Sequence, residues 1–165
     1  MDNTASLRRI KPTIDACQKG EVAMAGKEYS KAEERFRTAL KATPRDYAAN
    51  VLMAKCLSEQ DKDAQAMEYA QAATKIYPQE AQAHKLSGVL ALGEKDPGKA
   101  FEHLDRYDRL LPGDAGVTFL KGVSLEGMGK RPEAAKQYAA YLKRSQQGKA
   151  AEYSMSRLQS WGYLK

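Results

Sequence analysis

Small and apolar residues return along this chain at a constant interval. Ala100–Pro112 reads AFEHLDRYDRLLP. The chain reads AMEYAQAATKIYP at Ala66–Pro78, 34 residues earlier, and AEERFRTALKATP at Ala32–Pro44, 34 before that; one interval later Ala134–Gln146 reads AAKQYAAYLKRSQ. Self-similarity at a fixed period of this size marks a repeat architecture. With Thr13, Tyr47, Ala81 and Ala115 as position 1, position 8 is Gly20, Ala54, Gly88 and Gly122. Position 20 is Ala32, Ala66, Ala100 and Ala134, and position 32 is Pro44, Pro78, Pro112 and then Gln146. The columns hold one register without insertion.

Each column has a physical reading. Small residues on a first helix (position 8) and a second helix (position 20) let two axes approach closely, and ridge-into-groove packing then sets the pair. Proline at position 32 lacks an N–H and pushes its predecessor out of helical angles, so it ends the second helix. The pattern predicts helix pairs near Pro12–Gly26 and Ser30–Ala42, Asp46–Glu59 and Asp63–Ile76, Glu80–Leu92 and Pro97–Leu110, and Asp114–Gly127 and Pro132–Arg144. Ser30, three residues before Glu33, has capping-box spacing. Asp96-Pro97 reads as an N-cap followed by a first-turn proline. Asp46, Glu80 and Asp114 each place an acid at the start of a first helix, favourable to its dipole. Ahead of the first pair, Asn3–Lys11 reads as a short separate helical lead capped by Asn3 or Thr4, with Leu7 and Ile10 on its apolar edge and Pro12 in the first turn of the next helix. After Gly148, Ala150, Tyr153, Met155, Leu158 and Trp161 form a mostly apolar stripe on a last helix, Lys149–Trp161. A repeat stack leaves its final face bare, so this helix is expected to cap it; the alternative is an exposed docking helix, with Trp161, Tyr163 and Leu164 folding back or reaching a neighbour.

The period and columns resemble the tetratricopeptide repeat, a helix–turn–helix unit with small residues at positions 8, 20 and 27, an aromatic at 24 and Pro at 32. Phe36 and Tyr138 fit position 24, whereas Ala70 and Leu104 depart from it; Ala39 and Ala73 fit position 27, whereas Tyr107 and Tyr141 are large there. Position 4 carries Ala16, Asn50, His84 and Thr118 in place of the usual aromatic. The resemblance implies an all-α superhelix: a lead over 1–12, four repeats at 13–46, 47–80, 81–114 and 115–148, and a capping helix at 149–165.

It also implies that positions 2, 5, 9 and 12 of the first helices line a concave groove. Those are Ile14, Cys17, Glu21 and Met24; Ala48, Val51, Lys55 and Ser58; Gln82, Lys85, Val89 and Leu92; and Gly116, Phe119, Val123 and Glu126. Helical spacing puts each quartet on one face. The expected groove has an apolar floor of Val51, Val89, Leu92, Phe119 and Val123 with Lys55 and Lys85 near its middle, suited to an apolar segment of a protein or peptide partner. The bland alternative is packing between adjacent first helices. Repeats of this kind that grip a chaperone tail by its terminal carboxylate use Lys, Asn and Arg; the matching positions here are Cys17, Glu21, Leu52, Gln82 and Leu86, and none fits.

Composition adjusts this picture little. The chain has 165 residues and a net charge of +6. Residues 1–44 carry 9 basic and 6 acidic groups, 45–112 carry 9 and 11, and 113–165 carry 9 and 4. Basic ends around a mildly acidic middle read as a solvated surface; the sharper reading is an acidic partner at the C-terminal end. There is no run of 18 apolar residues. Met1–Lys19 has no apolar block, so no signal peptide is expected there. The expected compartment is cytoplasmic if Met1 is the natural start, and periplasmic or envelope if the chain is cut from a longer secreted protein. Cys17 and Cys56 read as core or groove thiols. His84 and His103 have no His or Cys at ligand spacing, H-E-x-x-H is absent, and Gly93-Glu94-Lys95 and Gly127-Met128-Gly129-Lys130 are inter-helix turns with no strand before them. No cofactor, metal or catalytic residue is expected. No basic or polar readers recur at groove positions, so no nucleic acid is expected either. The expected function is a non-catalytic interaction scaffold or adaptor, with a homo-oligomer left open. A second reading comes from the ending RLQSWGYLK, which resembles the C-terminal tails of some bacterial envelope zinc metalloproteases; it implies a substrate-recruiting or regulatory piece of a larger enzyme.

Overall fold

The computed structural model describes residues 3–165. The side chain of Asn3, and with it that residue's expected capping role, lies outside the described part. Among the described residues there are nine helices and no strand: α1 (Asn3–Ala25), α2 (Tyr29–Ala42), α3 (Tyr47–Ser58), α4 (Asp63–Ile76), α5 (Ala81–Gly93), α6 (Pro97–Leu110), α7 (Ala115–Gly127), α8 (Arg131–Leu142) and α9 (Lys149–Ser160). They form two compact units, Met1–Leu86 and Ser87–Lys165, divided within α5.

The four position-20 alanines are fully buried. Position 8 is tight because of what lies under it. A Cβ added to Gly88 would sit 2.6 Å from Leu104 Cγ, and one added to Gly122 would sit 2.7 Å from Tyr138 Cε1; at Gly20 it would collide with the Phe36 ring. Glycine therefore stands at position 8 wherever position 24 is large, and Ala54 is paired in the repeat pattern with the small Ala70.

The turns inside the pairs also repeat. Lys27, Asp61, Lys95 and Gly129, all at position 15, have φ of 58°, 57°, 59° and 74°. Each sits in a two-bond helix ending: Glu28 N–H to Ala23 O and Lys27 N–H to Met24 O in the first repeat, with the same pair at Lys62/Leu57 and Asp61/Ser58, Asp96/Ala91 and Lys95/Leu92, and Lys130/Leu125 and Gly129/Glu126. These satisfy carbonyls that the helix end would otherwise leave without donors.

Two local expectations fail. The lead is not a separate helix: α1 runs through Pro12 without a break. Proline removes one helical hydrogen bond, to the Arg8 carbonyl, but residues 4–12 are all exposed, so water can satisfy that carbonyl. Nor does Ser30 cap α2. The helix begins at Tyr29 with Glu28 at the N-cap and no side-chain cap bond. Glu33 instead accepts from Lys62 Nζ at 2.9 Å, Gln60 Nε2 at 3.2 Å and Arg37 Nη2 at 2.6 Å. Asp96 caps α6 as expected, accepting from the Lys99 N–H, and Asp46 and Asp114, expected only as acids favourable to the dipole, accept in the same way from the N–H groups of Ala49 and Val117.

The departures from the family pattern have structural uses. At position 4, Asn50 Nδ2 donates to the Pro44 carbonyl at 3.1 Å, and His84 Nε2 lies 3.0 Å from the Pro78 carbonyl. A polar side chain there ties down the loop from the preceding repeat. At position 27, the Tyr107 hydroxyl donates to Asp114 Oδ2 at 3.1 Å, and the Tyr141 ring packs 5.4 Å from Phe119.

Candidate functional site

In the first unit, the first-helix faces of α1 and α3 and the start of α5 enclose an open pocket of about 460 Å³. Thr13, Ile14, Cys17, Gln18 and Glu21 supply one wall, Asp46, Tyr47, Ala48, Val51 and Leu52 the other, and Gln82 the end. Its floor follows from the repeat: Cys17 and Val51 at position 5 turn toward the core and are buried, while Ile14 at position 2 is 45 % exposed. The charged side chains lining it are Glu21 and Asp46. Burial, then the carboxylates of Asp46 and Glu21, push the Cys17 thiol up to about 11. It is therefore protonated at neutral pH, and a protonated thiol is a poor nucleophile. Cys17 and Cys56 are both free and buried.

Of the residues expected in the groove, Ile14, Cys17, Glu21, Ala48, Val51 and Gln82 meet at this pocket. Lys55 is exposed on α3, and Met24 and Lys85 are partly buried, but none of the three lines it. Tyr47, Leu52 and Asp46 line it and were not among the expected residues. Tyr47 is held there by its ring, 5.7 Å from that of Tyr77, and by its hydroxyl, which accepts from the Ala83 N–H at 3.2 Å.

In the second unit, Val89 is 44 % exposed, while Leu92, Phe119, Val123 and Glu126 are partly buried. Phe119 belongs to an aromatic cluster with Tyr138, Tyr141 and Tyr153, its ring 5.9, 5.4 and 5.9 Å from theirs. Glu126 is occupied: Tyr138 and Tyr153 donate to its Oε2 at 2.7 and 3.1 Å, and Arg157 pairs with its Oε1. Burial and the hydrogen bond to Glu126 push the Tyr138 hydroxyl far above its ordinary value, which keeps it a donor. The Arg157 guanidinium lies over the Trp161 ring at 4.9 Å.

In this unit the sequence pattern places Tyr153 only in an apolar stripe and does not single out Arg157. The signal was present, because carrying the 34-residue register past 148 makes Lys149 position 1 and puts Tyr153 and Arg157 at positions 5 and 9. The last helix thus continues the first-helix register and packs on α8 through Leu158. Among the described residues, no group of His, Cys, Asp or Glu could hold a metal ion, and no helix is long and apolar enough to cross a membrane.

Helix pairs recurring in one register, each with a left-handed residue at position 15 and a buried alanine at position 20, define an all-α helix-pair repeat protein. Residues 23–90 match the tetratricopeptide-repeat family model. The solved structures agree. A tetratricopeptide-repeat protein, YrrB, described as having an unusual peptide-binding site, superposes with a TM-score of 0.80 at 16 % identity, over 98 % of this chain and 86 % of that one. The protein MamA superposes with a TM-score of 0.79 at 16 % identity, over 90 % and 84 %. The first repeat domain of Spaghetti (RPAP3), bound to the HSP90 peptide SRMEEVD, gives 0.71 at 15 % identity, over 73 % and 95 %. No curated protein matches the chain in sequence.

Proposed function

We propose that the chain is a non-catalytic scaffold that holds a segment of a partner protein on its first-helix faces. The observation that carries this is Val89, an aliphatic side chain at groove position 9 that is 44 % exposed at full helical order. An exposed aliphatic beside partly buried Leu92 is the kind of surface that receives an apolar anchor. The peptide-bound state of the RPAP3 domain and the peptide-binding site named for YrrB support a peptide as the occupant. The tail-carboxylate mode does not carry across, since Cys17, Glu21, Leu52, Gln82 and Leu86 provide no cation for a carboxylate. Stacked helices preorganise such a face, so binding orders little of the scaffold.

The test is affinity capture with the intact chain and with Val89→Asp. The variant is expected to lose the captured partner while its circular dichroism matches the parent. A partner retained equally by both would remove Val89 from the site.

A further inference from the structure

The first ten residues of α1, Asn3–Pro12, stand clear of the helical core: every described side chain from Thr4 to Pro12 is exposed. At about 1.5 Å per residue this arm is about 15 Å long. It carries Leu7 at 55 % exposure and Ile10 at 44 %, continued by Ile14 at 45 %. The spacing of three and four places all three on one face. An apolar stripe on an exposed stretch of helix asks for cover.

The pocket of the first unit offers that cover in complementary form. Between Thr4 and Ile14 the arm has three cations, Arg8, Arg9 and Lys11, and no carboxylate. The charged groups lining the pocket are the carboxylates of Glu21 and Asp46, over a floor of Cys17, Val51 and Leu52. The arm cannot fill the pocket of its own chain. Arm and pocket wall are one unbroken helix, so Leu7 and Ile10 cannot turn back onto Cys17.

We infer that the arm of one copy lies in the first-unit pocket of a second copy, and the reverse, in a two-fold dimer. An isologous contact of this kind uses one surface twice. In an antiparallel register with Ile14 against its counterpart, Leu7 meets the partner copy near Glu21, Ile10 lies over Cys17 and Gln18, and Arg8 and Lys11 flank the stripe within reach of Glu21. Ion pairs there fix the register more than they add affinity. The contact uses residues of the first unit and Val89 belongs to the second, so the dimer is tested separately from partner capture at Val89.

The test is the mass of the intact chain by size exclusion with light scattering at about 100 μM, where a micromolar dimer is saturated. Twice the chain mass of 18.3 kDa is expected. Leu7→Glu/Ile10→Glu removes the stripe from an exposed stretch of α1, so helicity should hold. Its dimer dissociation constant should rise about a hundredfold or more, since each loss counts twice across the two-fold. Arg8→Glu/Lys11→Glu and Glu21→Lys should each weaken the dimer, and combining them should restore it. A monomeric parent chain overturns the inference, as does a dimer indifferent to Leu7→Glu/Ile10→Glu. Charge reversals that fail to rescue one another overturn the arm-to-pocket register. Capture of an unrelated helix by a monomeric chain assigns the arm to another partner and likewise overturns it.

Discussion

The two units solve one packing problem with different materials. In the first, the second helices present small residues at position 27, Ala39 and Ala73, and position 5 holds the modest Cys17 and Val51. Its buried polar side chains tie to nearby carbonyl and hydroxyl groups: Asn50 and His84 to proline carbonyls, and Thr13 to Thr43 at 2.7 Å. In the second, position 27 is Tyr107 and Tyr141, position 5 is Phe119, and a buried charge joins the buried serines Ser87, Ser124 and Ser154. Lys121 Nζ lies 2.9 Å from Asp105 and 3.0 Å from Asp108, with its side chain 9 % exposed. A large residue at one column is absorbed by changing the columns it touches. The frame is conserved by coupled positions, and where position 5 stays small the structure leaves an open pocket.

The coupling can be broken most severely at position 8. Gly122→Leu, over the Tyr138 ring, should destabilise the fold by about 3 kcal/mol or more, beyond ordinary overpacking. Ala54→Gly, beside Ala70 in the pattern, should cost only about 1 kcal/mol through helix propensity. Urea midpoints of the two variants measure the difference. Equal effects would mean that position 8 is not tuned by position 24.

The charged core of the second unit is the next target. Lys121→Ala leaves Asp105 and Asp108 partly buried without their shared cation and should cost about 2 kcal/mol. Lys121→Met, which keeps the stem, should cost less. Titration gives the same contrast. Burial alone would raise Asp105, but Lys121 and Arg109 outweigh it and hold its pKa below the usual carboxylate value. Burial would likewise depress Lys121, yet Asp105 and Asp108 hold it above the usual lysine value. The Asp105 contribution is complete above an ordinary pKa of about 3.9 and is lost as pH falls through the lower folded value. The Lys121 contribution is complete below about 10.4 and is lost as pH rises through the higher folded value. Melting curves of the parent should fall at both extremes, and Lys121→Met should flatten both limbs.

Smaller effects sharpen the comparison. Asp46→Ala removes the bond to the Ala49 N–H and should cost about 1 kcal/mol by thermal melting. Lys31→Ala, in a pair whose side chains are both more than half exposed, should change stability by less than about 0.5 kcal/mol.

Much of the frame was legible in the sequence because it rests on side-chain size. Ala32, Ala66, Ala100 and Ala134 could be placed between helices by spacing alone. What stayed hidden depended on pairs rather than columns. Nothing in the spelling of Ser30 and Glu33 says that Glu33 will be taken by Lys62, from the next repeat. Glu126 sits at a groove position, yet its carboxylate is spent on Tyr138, Tyr153 and Arg157, two of them from the last helix. Pro12 reads as a boundary because proline disfavours a helix interior; exposure of the preceding turn removes that objection. Cys17 and Val51 show why the pocket was half visible: their position was known, but depth depends on the size of neighbours across the gap.

The recurring φ near +60° carries a consequence for engineering. Mirror-image backbone strains an L-residue bearing a Cβ by about 1–2 kcal/mol, a strain glycine escapes. This chain places glycine there once, at Gly129, and accepts Lys27, Asp61 and Lys95 at the sister corners. Those three corners are an unused reserve: glycine at each should raise thermal tolerance without touching the pocket, the aromatic cluster or the arm.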